Sequence, residues 1–226
     1  MTDQTTSTAA DRAQLPLILA FDTSASHCAA AVLSGDRLLA TRGEEMGRGQ
    51  AERLFPLLEE LLEEAGLAWA DLSAIAVGVG PGNFTGIRIA VSAARGLALG
   101  LNIPAIGVAT FDALREGASG PVLTAVAAPR GAVYLDPPEG APLGPIQPAE
   151  LPAEVLGSHL DVIGAEAAAL AEHTGGRALS ATYPLAEAIA RAAARRIGTE
   201  TALPKPLYIR PADAAPSREV PPVLLD

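Results

Sequence analysis

The hydrophobic positions of the chain fall into short continuous runs and longer helical stripes, which together predict a mixed α/β protein. Short apolar runs predict buried strands at residues 15–22 and 74–79, and two further strands are predicted at residues 27–33 and 37–44. A tight turn at residues 34–36 joins the second strand to the third, so the closely joined first three strands are expected to be antiparallel. Residues 74–79 instead lead through a helix to a strand that begins at Pro104, which predicts a right-handed crossover and a mixed sheet.

The clearest helix predicted from the sequence covers residues 49–66. Its apolar stripe at helical spacing consists of Ala51, Leu54, Phe55, Leu58, Leu61, Leu62 and Ala65. Glutamates occupy the other faces, and Gly66 is placed to end the helix. Pro56 lies inside the helix, where we expect a kink. Leu57 falls outside the stripe, which favours a second contact beyond the helix's own sheet.

A second helix follows a glycine-rich elbow at residues 78–82 and is apolar on nearly all sides. Either Asn83 or Thr85 can cap its first turn, and the helix is expected to end near Gly100. Its main apolar face consists of Ile87, Ala90, Val91, Ala94, Leu97, Ala98 and Leu101. Its polar stripe consists of Arg88, Ser92 and Arg95. A helix of this kind is typically buried on two sides, so we expect one side to cover the sheet and the other to meet a second helix, from this chain or another.

The second half of the chain carries a weaker pattern. A hairpin is expected across Pro129 and Arg130, followed by a proline-rich connection over residues 136–152. Further elements are predicted as a strand at 159–163 and helices at 165–173 and 185–197. The predicted organisation is a disordered N-terminus (1–14), a first subdomain (15–110), a reduced second subdomain (111–203) and an extended tail (204–226).

Composition excludes several classes of protein. The formal net charge is −10, from 26 acidic and 16 basic residues, and aromatic residues make up 4%, so the chain is a poor nucleic-acid binder on its own. Its single cysteine, Cys28, excludes an internal disulfide and is typical of a reducing compartment. The polar N-terminus lacks a signal-peptide pattern, and no apolar run approaches the ~20 residues of a membrane span. We therefore expect a cytoplasmic protein without a membrane partner.

Two stretches are candidates for phosphate chemistry, and each has a purely structural alternative. Asp22 and Thr23 follow the first strand, where an acid can hold a metal ion and a hydroxyl can meet a phosphate, or both can bond to local backbone in a turn. Gly80 and Gly82 belong to the elbow, which can receive an anion at the helix N-terminus or can serve packing alone. The elbow has no lysine of the kind that a P-loop uses.

A metal site made by the protein itself is not expected. His27 and Cys28 are neighbours on a predicted strand and point to opposite faces, so they cannot bind one metal ion together. HExxH, HxxxH and CxxC spacings are absent from the sequence. These facts disfavour a metalloprotease, and the geometry of the first pair also disfavours a Cys–His nucleophile.

Four segments of the sequence resemble the TsaB (YeaZ) family. They read LILAFDTSASHCAAAVL, QAERLFPLLEELL, GPGNFTGIRI continuing through GLALG to PAIGVAT, and YIRPADA. The resemblance implies an actin-like, sugar-kinase-type (ribonuclease H-like) fold of two subdomains with mixed sheets, the second reduced. Family members commonly have Asp-Ala-Arg before the second-half hairpin, whereas residues 127–130 here read Ala-Ala-Pro-Arg. The loss of that acid weakens any claim of nucleotide chemistry in the second subdomain.

The resemblance also implies a non-catalytic subunit in the formation of threonylcarbamoyladenosine beside the anticodon of ANN-decoding tRNAs. TsaB is similar to the catalytic subunit TsaD but lacks its metal-binding histidines, and it pairs with TsaD while the ATPase TsaE docks on the pair. This implies contact with tRNA only within the complex, and a homodimer when the chain is alone. It implies no cofactor of the chain's own and leaves open ATP or ADP at the partner interface.

The family's pairing surface uses the two long helices predicted above. The interface residues expected from it are Ala51, Leu54, Phe55, Leu58, Leu61, Leu62, Gly86, Ala90, Ala93, Leu97 and Gly100. The alternative hypothesis is an active actin-fold ATPase or phosphotransferase in which Asp22 holds Mg²⁺. In that case the nucleotide would lie at Thr23, Gly80 and Gly82.

Overall fold

Two five-stranded mixed sheets form the framework of the protein, for which a computed structural model describes residues 15–199 and 202–209. The strands of the first sheet are β1 (Leu17–Asp22), β2 (His27–Ser34), β3 (Arg37–Glu45), β4 (Ala74–Gly78) and β5 (Ala105–Val108). Those of the second are β6 (Val122–Ala127), β7 (Val133–Asp136), β8 (Leu143–Ile146), β9 (Asp161–Gly164) and β10 (Ala178–Leu179). The predicted disordered N-terminus and residues 210–226 of the predicted tail lie outside the described residues.

The two sheets share one strand order. In the first the order is β3-β2-β1-β4-β5, with β1 antiparallel to β2 and parallel to β4. In the second sheet the order is β8-β7-β6-β9-β10, and β6 is the central strand, as β1 is in the first. Here β6 is antiparallel to β7 and parallel to β9, so the pairing repeats that of the first sheet. This repetition confirms the predicted two-subdomain, ribonuclease H-like α/β fold with mixed sheets.

The helices are α1 (Gln50–Ala65), α2 (Phe84–Leu101), α3 (Thr110–Arg115), α4 (Ala167–Thr174) and α5 (Leu185–Ala194). On the first sheet, α1 covers β2 and β3, while α2 covers β4 and its neighbours on the same face. The core between them is built from side chains such as Phe21, Leu58 and Ile87. Both helices are placed as the sequence predicts, and α1 continues through Pro56.

The opposite face of the first sheet is covered by α5, with α3 beside it. The predicted boundary placed α5 in the second subdomain (111–203), but its contacts correct that division. Ile18, Ala20 and Ile106 form an apolar surface that needs a cover, and the small side chains of α5 pack closely on it. The chain therefore returns to the first sheet after completing the second.

The second sheet is smaller and packs mainly against α4 and residues near Val155. Two of its strands were not predicted. The first, β8, interrupts the expected proline-rich connection, and it is a half-buried edge strand, where Pro145 is tolerated. The second, β10, has only two residues and pairs at the other edge of the sheet.

One helix among the described residues, α2, is long and apolar enough by length and composition to cross a membrane. Core helices of globular domains can have the same length and composition. Here Ile87, Ala90 and Ala94 are buried on the first sheet, so the helix is part of the core of that subdomain.

Candidate functional site

The turn after β1 starts at buried residues, and the side chains of Asp22, Thr23 and Ser24 each make a hydrogen bond within the protein. One carboxylate oxygen of Asp22, Oδ1, accepts hydrogen bonds of 2.8 Å from both the backbone N–H and the hydroxyl of Ser24. The same oxygen lies 2.7 Å from Nε2 of His27. The hydroxyl of Thr23 donates to the carbonyl oxygen of Gly86, at 2.7 Å. The side chains that could have met a phosphate are thus bonded within the protein.

The glycine elbow lies directly on this turn. A Cβ atom at Gly78 would lie 1.9 Å from Oδ2 of Asp22, and one at Gly86 would lie 1.9 Å from the carbonyl oxygen of Thr23. Such distances leave no room for any side chain, so glycine is required for the close approach. Asn83 completes the elbow, because its side chain accepts a hydrogen bond of 2.9 Å from the N–H of Gly86 and caps α2.

The four residues predicted to bind a nucleotide are brought together, but they offer little to a ligand. Asp22 and Thr23 have no exposed surface, Gly80 is buried and Gly82 is half-buried. Oδ2 of Asp22 has no hydrogen-bond partner within the described part of the chain, yet it faces Gly78 beneath the elbow. The geometry favours the structural alternative over a nucleotide site.

His27 is the residue of this turn whose role the sequence did not reveal. The hydrogen bond that His27 donates to Asp22 raises the pKa of His27, burial opposes that rise, and the negative charges of Asp22 and Glu45 add to it. The sequence suggests for this histidine only the roles of a metal ligand or of a partner to a nucleophilic cysteine, and it disfavours both. The antiparallel hairpin provides the missing signal, because β1 ends at Asp22 and β2 begins at His27, so both face the same gap.

The ion pairs of α1 show which flank of this helix lies over β3, and the opposite flank is therefore the one that faces α2. Arg53 binds Glu44 of β3, while Glu60 and Glu64 bind Arg42 of the same strand, so one flank of α1 lies over β3. Phe55 lies on the other flank, toward α2, and is 43% exposed.

The burial pattern of α1 corrects the predicted stripe. Leu57 is fully buried, although it was expected to lie outside the apolar face. The residues that α1 buries within the chain are Leu54, Leu57, Leu58, Leu61 and Leu62. Four of the six interface residues expected on α1 are therefore core residues, and the other two, Ala51 and Phe55, are exposed.

The outer surface of α2 is lined by small and apolar residues. Of the expected interface residues, Gly86 and Ala90 are buried, Ala93 and Leu97 are half-buried, and Gly100 is exposed. The exposed surface also includes Ser92, Gly96 and Leu99, which the prediction omitted. A side chain added at Gly96 or Gly100 would meet no other part of the protein within 4 Å, so the backbone of α2 is open to close approach there.

An extended strap formed by residues 203–208 runs beside α2, antiparallel to it. Leu203 lines a groove with Leu99, near the C-terminal end of the helix. Further along, the N–H of Leu207 donates to the carbonyl oxygen of Val79 at 2.8 Å. At the N-terminal end of the helix the ring of Tyr208 stacks on Phe84, with centroids 5.1 Å apart.

Arg88 fixes the end of the strap. Its Nε donates to the hydroxyl of Tyr208 at 3.0 Å, and its guanidinium lies 3.8 Å from the centre of the Phe84 ring. We call the surface formed by the strap, the outer side of α2 and the facing flank of α1 the α1–α2 face. Its members are Ala51, Phe55, Phe84, Arg88, Ile89, Ser92, Ala93, Arg95, Gly96, Leu99, Gly100, Leu203, Lys205 and Tyr208.

Exposed hydrophobic side chains are concentrated on the α1–α2 face. The large ones found in the described residues are Leu15, Phe55, Phe84, Leu99, Leu156, Leu203 and Tyr208. All of these except Leu15 and Leu156 belong to the face, and Leu99 is 85% exposed. A concentration of this kind marks an interaction surface.

Residues 42–137 match the family model of TsaD, tRNA N6-adenosine threonylcarbamoyltransferase. The tRNA threonylcarbamoyladenosine biosynthesis protein TsaB of Escherichia coli K12 is 38% identical over 122 residues, which are 52% of each chain. TsaB of Haemophilus influenzae is 36% identical over 103 residues, which are 45% of this chain and 42% of its own. The chain thus matches only about half the length of these curated relatives.

A solved structure extends the match over both sheets. YeaZ from Pseudomonas aeruginosa is 30% identical with a TM-score of 0.65, and the match covers 86% of this chain and 100% of that one. The chain belongs to the TsaB (YeaZ) family. A second P. aeruginosa structure, described as an uncharacterized protein with similarity to peptidase YEAZ, is 29% identical with a TM-score of 0.69 and covers 87% of this chain.

Membership in the TsaB family confirms the resemblance and extends it to the second subdomain, where the sequence alone gave little. The part that the TsaD family model matches contains α1, the elbow and α2. Across residues 15–199 and 202–209, no group of three or more His, Cys, Asp or Glu side chains is placed to hold a metal ion.

Proposed function

We propose that this TsaB-family chain is a non-catalytic subunit in the formation of threonylcarbamoyladenosine in tRNA. In this role the α1–α2 face pairs with a TsaD-type catalytic subunit and keeps it competent to modify ANN-decoding tRNAs beside the anticodon. A TsaE-type ATPase joins the pair, and the same face closes a homodimer when the chain is alone. ATP or ADP, if required, lies at the partner interface and not in the turn after β1.

The observation that carries the proposal is the concentration of exposed apolar side chains and open glycine positions on one face. Phe55, Phe84 and Leu99 each present a large hydrophobic surface to solvent. Burying such a side chain in a partner's pocket contributes about 1.5–3 kcal/mol. Gly96 and Gly100 allow a partner helix to approach the backbone of α2 between these anchors.

The catalytic role is assigned to the partner because the chain's own candidate for a catalytic acid, Asp22, is buried. Asp22 accepts local hydrogen bonds and lies beneath the elbow, where it has no exposed surface. The acid that the family commonly carries before the second hairpin is replaced at residues 127–130. These facts support a subunit that acts by binding.

A matched pair of glycine substitutions tests the pairing. Gly96→Arg places a long charged side chain on the α1–α2 face, and Gly120→Arg places one in the loop before β6; both positions have open space. We expect Gly96→Arg to abolish pairing with a purified TsaD-type subunit in analytical ultracentrifugation. Its fold should be retained, because replacing a helical glycine stabilises a helix by up to about 1 kcal/mol.

Gly120→Arg should pair with wild-type affinity. If Gly96→Arg also pairs with wild-type affinity, the α1–α2 face is not the pairing surface and the proposal fails. Circular dichroism of both variants would show that the comparison is between folded proteins.

A further inference from the structure

The part of the α1–α2 face formed by α2 and the strap has a charge opposite to that of the chain as a whole. The formal net charge of the protein is −10. Residues 84–101, which form α2, and residues 203–208, which form the strap, nevertheless contain no Asp or Glu. They contribute three cations, namely Arg88, Arg95 and Lys205. This part of the face is therefore a basic strip on an acidic protein.

Elsewhere most described arginines are already neutralised by the chain itself. The arginines that form an ion pair with an acid are Arg42, Arg53, Arg115, Arg177, Arg191, Arg195 and Arg196. On the strip, Arg88 is held by Tyr208 and Phe84 and forms no ion pair with an acid in the described part of the chain. Within residues 15–199 and 202–209, Arg95 and Lys205 form no ion pair with any acid.

Arg95 lies where two grooves of the α1–α2 face meet. It lines one groove with Val91, Ser92 and Pro206. It also lines the adjoining groove, which Leu99 and Leu203 enclose. A guanidinium between apolar walls loses competing water when a partner covers it, which strengthens a bidentate bond to a carboxylate.

We propose that the α1–α2 face selects a partner helix that presents carboxylate side chains, with Arg95 as their main anchor. This inference rests on the proposed pairing through the same face and adds the chemistry of the partner. The partner helix lies close to Gly96 and Gly100 and directs its acids toward Arg95 and Lys205. RNA is a poorer fit, because three cations beside exposed aliphatic side chains neutralise few phosphates.

Charge reversal at Arg95 tests this chemistry. Arg95 is exposed and has no partner among the described residues, so Arg95→Glu leaves the fold intact. We expect the dissociation constant for a TsaD-type subunit to rise about tenfold or more at low salt in Arg95→Glu, since like charges then face each other. Arg95→Ala should weaken pairing about two- to fivefold. The control Arg37→Glu reverses an exposed arginine at the start of β3 that forms no ion pair among the described residues, and it should pair like wild type.

Salt and rescue experiments identify the partner group. Pairing of the wild type should weaken as salt is raised, and pairing of Arg95→Ala should weaken less. Each acid on the partner's docking helix is replaced by lysine in turn. One of these partner variants should bind Arg95→Glu again, and the position of its lysine identifies the acid that Arg95 contacts. Wild-type affinity of Arg95→Glu at low salt would overturn the inference, even if Gly96→Arg still abolishes pairing. A charge effect that is seen only when tRNA is added would also overturn it, because the strip would then bind RNA.

Discussion

Close contacts between single residues favour a structural role for the turn after β1. Glycines at positions 78 and 86 let the elbow and the first turn of α2 lie against Asp22 and Thr23 at distances that no other residue permits. From the sequence, a glycine-rich elbow before a helix could serve an anion or serve packing. The choice between them depends on the distance between two segments far apart in the chain, which local patterns do not contain.

At this turn we predict a pH dependence of stability that belongs to His27. The pKa of His27 is raised in the folded protein, chiefly by its hydrogen bond to Asp22. Its contribution to stability is therefore complete below the unfolded pKa of about 6.5 and is lost as pH rises through the higher folded value. Urea unfolding of the wild type should show a free energy of unfolding that falls as pH rises from about 6.5.

The substitution His27→Gln should remove that slope, because the side chain can still donate a hydrogen bond but no longer titrates. A control variant, His173→Gln, changes an exposed histidine at the end of α4 and should keep the slope. An identical slope in wild type and His27→Gln would show that another group is responsible.

Among the elements, α1 shows how far helical periodicity can predict burial. The pattern gives the helix and its bounds to within a residue, because the leucines repeat with the period of an α-helix. The leucine pattern does not decide whether the stripe that contains Phe55 or the overlapping stripe that contains Leu57 faces the sheet. That depends on the flank held by the ion pairs with β3, which are tertiary contacts.

Two of the residues whose predicted and observed exposure differ, Leu57 and Phe55, should respond to truncation in different ways. Leu57→Ala empties a buried position and should lower the free energy of unfolding by about 2–5 kcal/mol. Phe55→Ala removes an exposed ring, so stability should change by no more than about 0.5 kcal/mol. Affinity for a TsaD-type subunit should fall in Phe55→Ala. Urea unfolding measures the stability of each variant, and a binding titration measures its affinity. If Phe55→Ala lost as much stability as Leu57→Ala, the assigned orientation of α1 would be contradicted.

The strands and the strap that the sequence did not predict lie where the pattern of apolar residues is weakest. Edge strands β8 and β10 are short and partly exposed, so they lack the apolar runs that identify β1 and β4. The strap was predicted only as an extended tail. Its key contact joins Arg88 to Tyr208, which are 120 positions apart, and no spacing rule connects such residues.

Across the whole molecule, the two subdomains repeat one strand order, and α3 connects them. Arg115 of α3 binds Asp136 of β7 in the second sheet, while Asp112 of the same helix binds Arg196 at the end of α5. This bridge joins the layer behind the first sheet to the second subdomain. The α1–α2 face lies on the opposite side of the first sheet, so a partner can bind there without separating the two subdomains.

The central claim is that the α1–α2 face binds a TsaD-type subunit, and hydrogen exchange of the full chain measures it directly. Adding that subunit should slow amide exchange in α2 and in the strap, residues 84–101 and 203–208, and leave α4 unchanged. Slower exchange confined to the second sheet or to α4, with α2 and the strap unaffected, would contradict the account.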